Sequence, residues 1–195
     1  MVEKINLREI LSGKKPKVGD TLFIAIDGHG GSGKSSLAQL LSDKLNASII
    51  HTDDFASWNN PINWWPQVIE KVFEPIKDGA KSLSYPRSTW WDNHDSQPIV
   101  EQSVTPVMIL EGVSSSRKEF SEYISLKVFV NTPKEICFQR GVERDSGTGK
   151  TKEEILKLWE QWFVEEEEYM RRDLPLKHAD IVLDGTKPFA GQIEV

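Results

Sequence analysis

The sequence has a single cysteine, Cys137, so no disulfide can close within the chain. Cys137 falls in a helical pattern after Pro133 and reads as a small buried hydrophobe, which suits a reducing compartment. Long apolar runs are also missing. None approaches the length that spans a bilayer, and the N-terminal stretch MVEKINLREILSGKKPK carries charges where a signal peptide needs an apolar core. The expectation is a cytoplasmic protein with no membrane partner. Positive charge is in deficit, with 24 Lys and Arg against 30 Asp and Glu and a formal net charge of -6. Nucleic-acid binding usually needs a basic stripe, so no nucleic-acid partner is expected and any anion must be met by a local site. The polar bias of a disordered chain is absent too. With 38% hydrophobic residues over 195 positions, the chain can bury one core, and a single domain spanning 1–195 is expected.

What is present is an alternation of short apolar runs with helix-period segments, the pattern of an α/β domain with a parallel, helix-covered sheet. Residues 21–26, 48–50, 106–110 and 126–130 read as strands, with a fifth at 181–183. Leu37, Leu40, Leu41 and Leu45 form one helical stripe. Val68, Ile69, Val72, Phe73 and Ile76 form a second, which Pro75 should end or kink. Thr132, Pro133 and Glu135 have the spacing of a capping box at the start of a third. The longest helix is expected over about 152–172, where Ile155, Leu158, Trp159, Trp162, Phe163 and Tyr169 share a face. On its charged face, Glu167 with Arg171 and Glu168 with Arg172 have the i,i+4 spacing of solvated ion pairs. Gly147 and Gly149 interrupt the pattern between these two helices, so that about 141–152 can serve as a lid.

Gly28, His29, Gly30, Gly31, Ser32, Gly33, Lys34 and Ser35 match GxxxxGK[ST] in full, between the strand TLFIAI and the leucine-striped helix. Glycines let backbone N–H groups turn inward around phosphate oxygens, and the helix N-terminus adds positive partial charge. The loop Gly28, Gly30, Gly31, Ser32, Gly33, Lys34, Ser35 and Ser36 is therefore expected to hold the triphosphate of ATP. Lys34 would neutralise the β and γ phosphates, and the Ser35 hydroxyl would ligate Mg²⁺. Asp27, just before the loop, reads as a bracing carboxylate, and His29 as a loop residue without a role in proton transfer.

After the second strand the chain reads HTDDFASW. This places Asp53 and Asp54 at the C-terminal edge of the sheet, where ligands of open α/β sheets bind. A kinase needs a carboxylate to orient the attacking hydroxyl and accept its proton, and Asp53 is the candidate. The third strand ends in VMILEGV, which sets Glu111 at the same edge; Glu111 or Asp54 would support Mg²⁺ with Ser35. In RGVERD, Arg140 and Arg144 lie one helical turn apart and could stabilise charge on a phosphoryl group in transfer, the alternative being ion pairs with Glu143 or Asp145.

These segments, IDGHGGSGKSS, the DDF of HTDDF, the LEG of VMILEGV and RGVERD, resemble the uridine kinase-like family of P-loop kinases in kind and order, over about 21–184. That family includes uridine-cytidine and nicotinamide riboside kinases. The resemblance implies a P-loop NTPase fold with a five-stranded parallel sheet, Asp53 as general base, Glu111 as the Walker-B-like acid and Arg140 and Arg144 as lid arginines. YPRSTWWDNHD is similar to the family's YxRYDW stretch, which would set Arg87, Trp91 and Asp92 beside the acceptor under a covering segment of about 55–100. DDFA stands in place of DSFY, and no counterpart of DHPDAFD is present, so uridine itself is not assigned as the acceptor. Trp58, Trp64, Trp65, Trp90 and Trp91 cluster in the covering segment, either to stack on a planar acceptor or to fill core. The implied activity is ATP- and Mg²⁺-dependent phosphorylation of a hydroxyl on a small, nucleoside-like molecule, with a homodimer compatible. The alternatives are a non-catalytic ATP-binding module or a nucleotide switch, although a guanine-reading NKxD element is missing.

Overall fold

Leu22–Asp27 is buried at every position, the burial of a strand covered on both faces and therefore central in its sheet. The computed structural model describes residues 4–57, 60–88, 97–147 and 149–195. In chain order the strands are β1 (Ile5–Asn6), β2 (Leu22–Asp27), β3 (Ser48–His51), β4 (Ser82–Pro86), β5 (Ile99–Ser103), β6 (Val107–Glu111), β7 (Ile124–Asn131), β8 (Ile181–Asp184) and β9 (Ile193–Glu194). Five of them form one parallel sheet in the order β3-β6-β2-β7-β8. These are the five strands expected from the apolar runs, with ends that differ by up to two residues.

The helices are α1 (Leu7–Ser12), α2 (Lys34–Leu45), α3 (Trp65–Val68), α4 (Glu74–Lys77), α5 (Lys134–Asp145) and α6 (Lys152–Asp173). One face of the sheet packs Ile24, Ile26, Leu126 and Val128 against Leu37, Ala38 and Leu41 of α2. The other packs Phe23, Ala25, Met108 and Leu110 against Val68, Val72, Phe73 and Ile76. Helices thus cover both faces, and the alternation along β2 decides which residues meet which layer. No helix among the described residues is long and apolar enough to cross a membrane.

One local expectation holds only in its milder form and one needs correction. Pro75 does not end its helix but interrupts its α-helical pattern. α3 passes through a π turn (Ile69–Phe73) directly into α4, with the Glu74 N–H on the Ile69 carbonyl. The wider turn accommodates a residue that has no N–H to give and whose ring would crowd the carbonyl one turn back. The capping box at Thr132 does not form either: α5 is preceded by Pro133 without a side-chain cap, and the Thr132 hydroxyl donates to the Ser32 carbonyl, 2.8 Å away. A tertiary bond to the phosphate loop wins over the local cap. The reciprocal cap is found at Thr151 and Glu154, opening α6.

α5 and α6 meet through aromatic rings, with Trp159 near Phe138 and Phe163 and its Nε1 donating to Asp145. Gly141 lies under the Trp159 ring, where an added Cβ would overlap it. Gly141→Ala is therefore expected to destabilise the protein by about 1–3 kcal/mol, through overpacking of a ring that cannot give way. Thermal denaturation checks this, and an unchanged melting temperature would mean that the two helices are not packed this closely.

Candidate active site

The C-terminal ends of β2, β3 and β6 are adjacent in the sheet, so the segments that leave them share one edge. β2 delivers the glycine-rich loop, held from beneath by Asp27. This buried carboxylate accepts from the N–H groups of Gly28, Ser114 and Ser116 and from the hydroxyls of Ser116 and Tyr169, the last at 2.6 Å. Asp27 is a brace, as its position before the loop suggests, but four of its five donors come from far along the chain. Gly31 has φ +78, and a Cβ there would run into the Cys137 carbonyl of α5, so the loop passes where only glycine fits. Lys34, the first residue of α2, is buried and donates to the His29 carbonyl at 2.7 Å across the mouth of the loop.

Glu111, from the end of β6, accepts from Ser35 Oγ at 3.2 Å and lies 2.7 Å from His51 Nδ1. Burial pushes the Glu111 carboxyl up, but the bonds from His51 and Ser35 and the charge of Lys34 outweigh it and hold its pKa below the usual value. The bond to Glu111 raises His51 in turn, against an opposing effect of burial. His51 is a member of the site that the sequence analysis did not single out; its signal is its place just ahead of the aspartate pair. Among the described residues no three His, Cys, Asp or Glu side chains converge as a metal cage. Mg²⁺ on a nucleotide asks for less, one or two protein oxygens with phosphates completing the shell. Ser35 and Glu111, one hydrogen bond apart, fit that requirement.

The two aspartates part company. Both stand on the 3₁₀ turn Thr52–Asp54 after β3. Asp53 faces the cleft with the loop, and the crowded walls around it raise its pKa above the ordinary carboxylate value. The charge of Glu111 adds to this, and Lys34, Arg144 and His51 pull the other way. Asp54 turns away into a separate hollow beside β3, where its buried carboxylate accepts from Tyr85 at 3.3 Å and pairs with Arg87 at 3.0 Å. The structure therefore does not bring Asp54 to Ser35 as a metal-supporting group, and it gives Arg87 a structural partner outside the cleft. Successive residues of a tight turn cannot both face one point. Trp91 and Asp92, together with Trp58 and Trp90, lie outside the described residues.

The cleft has a volume of about 380 Å³ and is lined by Lys34, Ser35, Asp53, Glu111, Arg140 and Arg144, with Ile62, Trp64, Trp159 and Trp162 as apolar wall. Arg140 donates to the Gly185 carbonyl at 3.0 Å, while Arg144 pairs with Asp145 at 2.8 Å and lies over the Trp159 ring. Trp64 is core as well as wall, only 1% exposed. Arg117 is fully buried next to Trp64 and Trp65 and donates to the Ile62 carbonyl, which anchors this wall.

The acidic run on α6 also requires correction. Glu166 is buried and accepts from the Gly30 N–H at 3.1 Å and lies 3.0 Å from His29 Nδ1; Glu167 pairs with Lys134. The expected i,i+4 ion pairs are replaced: Arg171 donates to the Glu167 backbone carbonyl and Arg172 pairs with Asp173. Helical spacing shows which residues share a face but not what packs against it.

A family model for the Phosphoribulokinase / Uridine kinase family matches residues 67–187. A uridine kinase of Borrelia hermsii is 26% identical over 153 residues, covering 70% of this chain and 74% of the relative. A uridine kinase of Mannheimia succiniciproducens is 26% identical over 161 residues, 71% of this chain and 74% of the relative. Among solved structures, that of a possible uridine kinase from Bacillus stearothermophilus superposes with a TM-score of 0.64 at 21% identity, covering 91% of this chain and 94% of the other, a likeness of fold.

Proposed function

Because this chain belongs to the Phosphoribulokinase / Uridine kinase family, we propose that it transfers the γ-phosphoryl group of ATP to a hydroxyl of a small, nucleoside-like metabolite. The observation that carries this reading is the convergence on one cleft of a phosphate loop with Lys34 and Ser35, an acidic residue bonded to that serine, and an aspartate with a raised pKa. Phosphoryl transfer needs positioning and charge neutralisation more than covalent chemistry. The loop amides and Lys34 hold the polyphosphate, and Arg140 and Arg144 face the region where charge spreads during transfer. Ser35 and Glu111 would hold Mg²⁺, which draws charge from the β and γ oxygens when bound. Asp53 accepts a hydrogen bond from the acceptor hydroxyl, aligns it for in-line attack and takes its proton.

The test is incubation with ATP, Mg²⁺ and a pooled library of nucleosides, vitamins and sugars, with products followed by mass spectrometry. The expected outcome is one compound class gaining a phosphoryl group in step with ADP formation. Tight ATP binding with no phosphorylated product from any pool would turn the reading toward a non-catalytic module.

A further inference from the structure

Away from the cleft lies a second cavity, of about 500 Å³, bounded by residues different from those that line the first. It forms where the loop after β6, the beginning of β7, the link from α6 to β8 and the segment after α1 meet. Its walls carry Lys14, Lys17, Lys118 and Lys127 against Asp173 and Asp180, an excess of positive charge in a chain whose net charge is -6.

The carboxylates are already engaged. Asp173 accepts from the Lys118 N–H at 2.9 Å, and Asp180 accepts from Lys14 Nζ at 2.7 Å and from the Lys127 N–H at 2.8 Å. Lys17 and Lys118 are held in place by backbone carbonyls, those of Ser121 at 2.8 Å and Arg172 at 2.6 Å, which leaves each ammonium further N–H donors. Lys127 differs. It stands in the interior of the sheet, half-buried, opposite Ala25 of β2, and among the described residues its ammonium has no hydrogen-bond or ion-pair partner. Burial holds its pKa below the usual lysine value and the charge of Lys17 adds to this, while Asp180, Asp27 and Asp173 oppose. A half-buried ammonium crowded by a second one is an unfavourable arrangement that an anion would relieve.

We propose that this cavity is a second anion site, which takes a phosphate group through Lys127, Lys17 and Lys118. Its size leaves room beside the phosphate for the organic part of a small ester. The shared chemistry is a phosphate dianion, carried by a phosphate monoester or free in solution.

The test uses the full chain carrying Lys34→Ala, so that the glycine-rich loop does not compete. It is titrated with inorganic phosphate, glucose 6-phosphate and uridine 5′-monophosphate while backbone amide signals are followed by NMR. Shifts are expected at Ser125, Lys127 and Lys118, and Lys17→Gln and Lys127→Met should each weaken binding at least about tenfold. Lys127→Met removes a charge that burial disfavours, so the variant should fold, and Lys17→Gln changes an exposed side chain. Tighter binding of the esters would identify an ester as the natural occupant, and equal binding would identify free phosphate; both uphold the site. No saturation with any of the three probes by on the order of 10 mM, shifts confined to residues of the first cleft, or unchanged affinity in both variants would overturn it.

Discussion

Asp53→Asn is expected to leave ATP binding intact and to lower turnover by about 10²–10⁴-fold, the usual contribution of a positioned general base. The substitution keeps the size of the side chain at the rim of the cleft and removes its negative charge and, with it, the capacity to accept a proton. Asp53 has a raised pKa, chiefly because the cleft walls crowd water away from its carboxyl and with help from Glu111, so in the wild type kcat/KM should fall as pH drops through a value above the ordinary carboxylate range. The acid limb should be absent from the residual activity of the variant. Stability should move the other way. A carboxyl whose folded-state pKa is raised favours the folded state in acid, and that contribution is lost as pH rises through the folded value. At neutral pH the charged Asp53 therefore costs stability, and the variant should melt at the same temperature as the wild type or higher. Steady-state kinetics across pH with parallel thermal melts check both statements. Wild-type turnover in the variant would remove Asp53 from the mechanism, and a large drop in melting temperature would mark it as a structural residue.

Lys34→Ala is expected to lower kcat/KM for ATP by about 10²–10³-fold, comparable to the removal of one preorganised donor from a developing charge. Lys34 is buried at the first turn of α2 and bonded across the loop to His29, so its ammonium is fixed where the helix N-terminus and the loop amides already point. Lys34→Arg should not restore activity, since a planar guanidinium cannot occupy a slot sized for an ammonium 2.7 Å from a backbone carbonyl. Calorimetric titration with ATP and steady-state kinetics give the readout. A Lys34→Ala protein that binds ATP and turns over like the wild type would mean that the glycine-rich loop is not the phosphate site.

Much of this architecture is legible along the chain. The five strands of the parallel sheet announce themselves as short apolar runs, most fully β2, which is covered on both faces, and α6 because its aromatic residues repeat at the helical period. The pair β4 and β5 leaves a weaker trace. Its strands alternate only Leu83 with Tyr85 and Val100 with Gln102, and β1 and β9 are two residues each, too short for any period to show.

The sequence by itself determined the glycine-rich loop with Lys34 and Ser35, the acidic residues at the ends of the next two strands of the parallel sheet, and where the five strands of that sheet fall along the chain. These depend on neighbours in the chain: a turn that needs glycine, a strand that needs apolar residues, a helix that needs a stripe. Only the tertiary structure decided which of Asp53 and Asp54 enters the cleft, that His51 pairs with Glu111, that Glu166 leaves its solvated face to hold Gly30, and that four lysines from separate segments gather around one cavity. Each of these depends on partners from 31 to 166 positions away, as in Tyr85 with Asp54 or Lys14 with Asp180, and no local spacing encodes which distant group will supply the missing hydrogen bond.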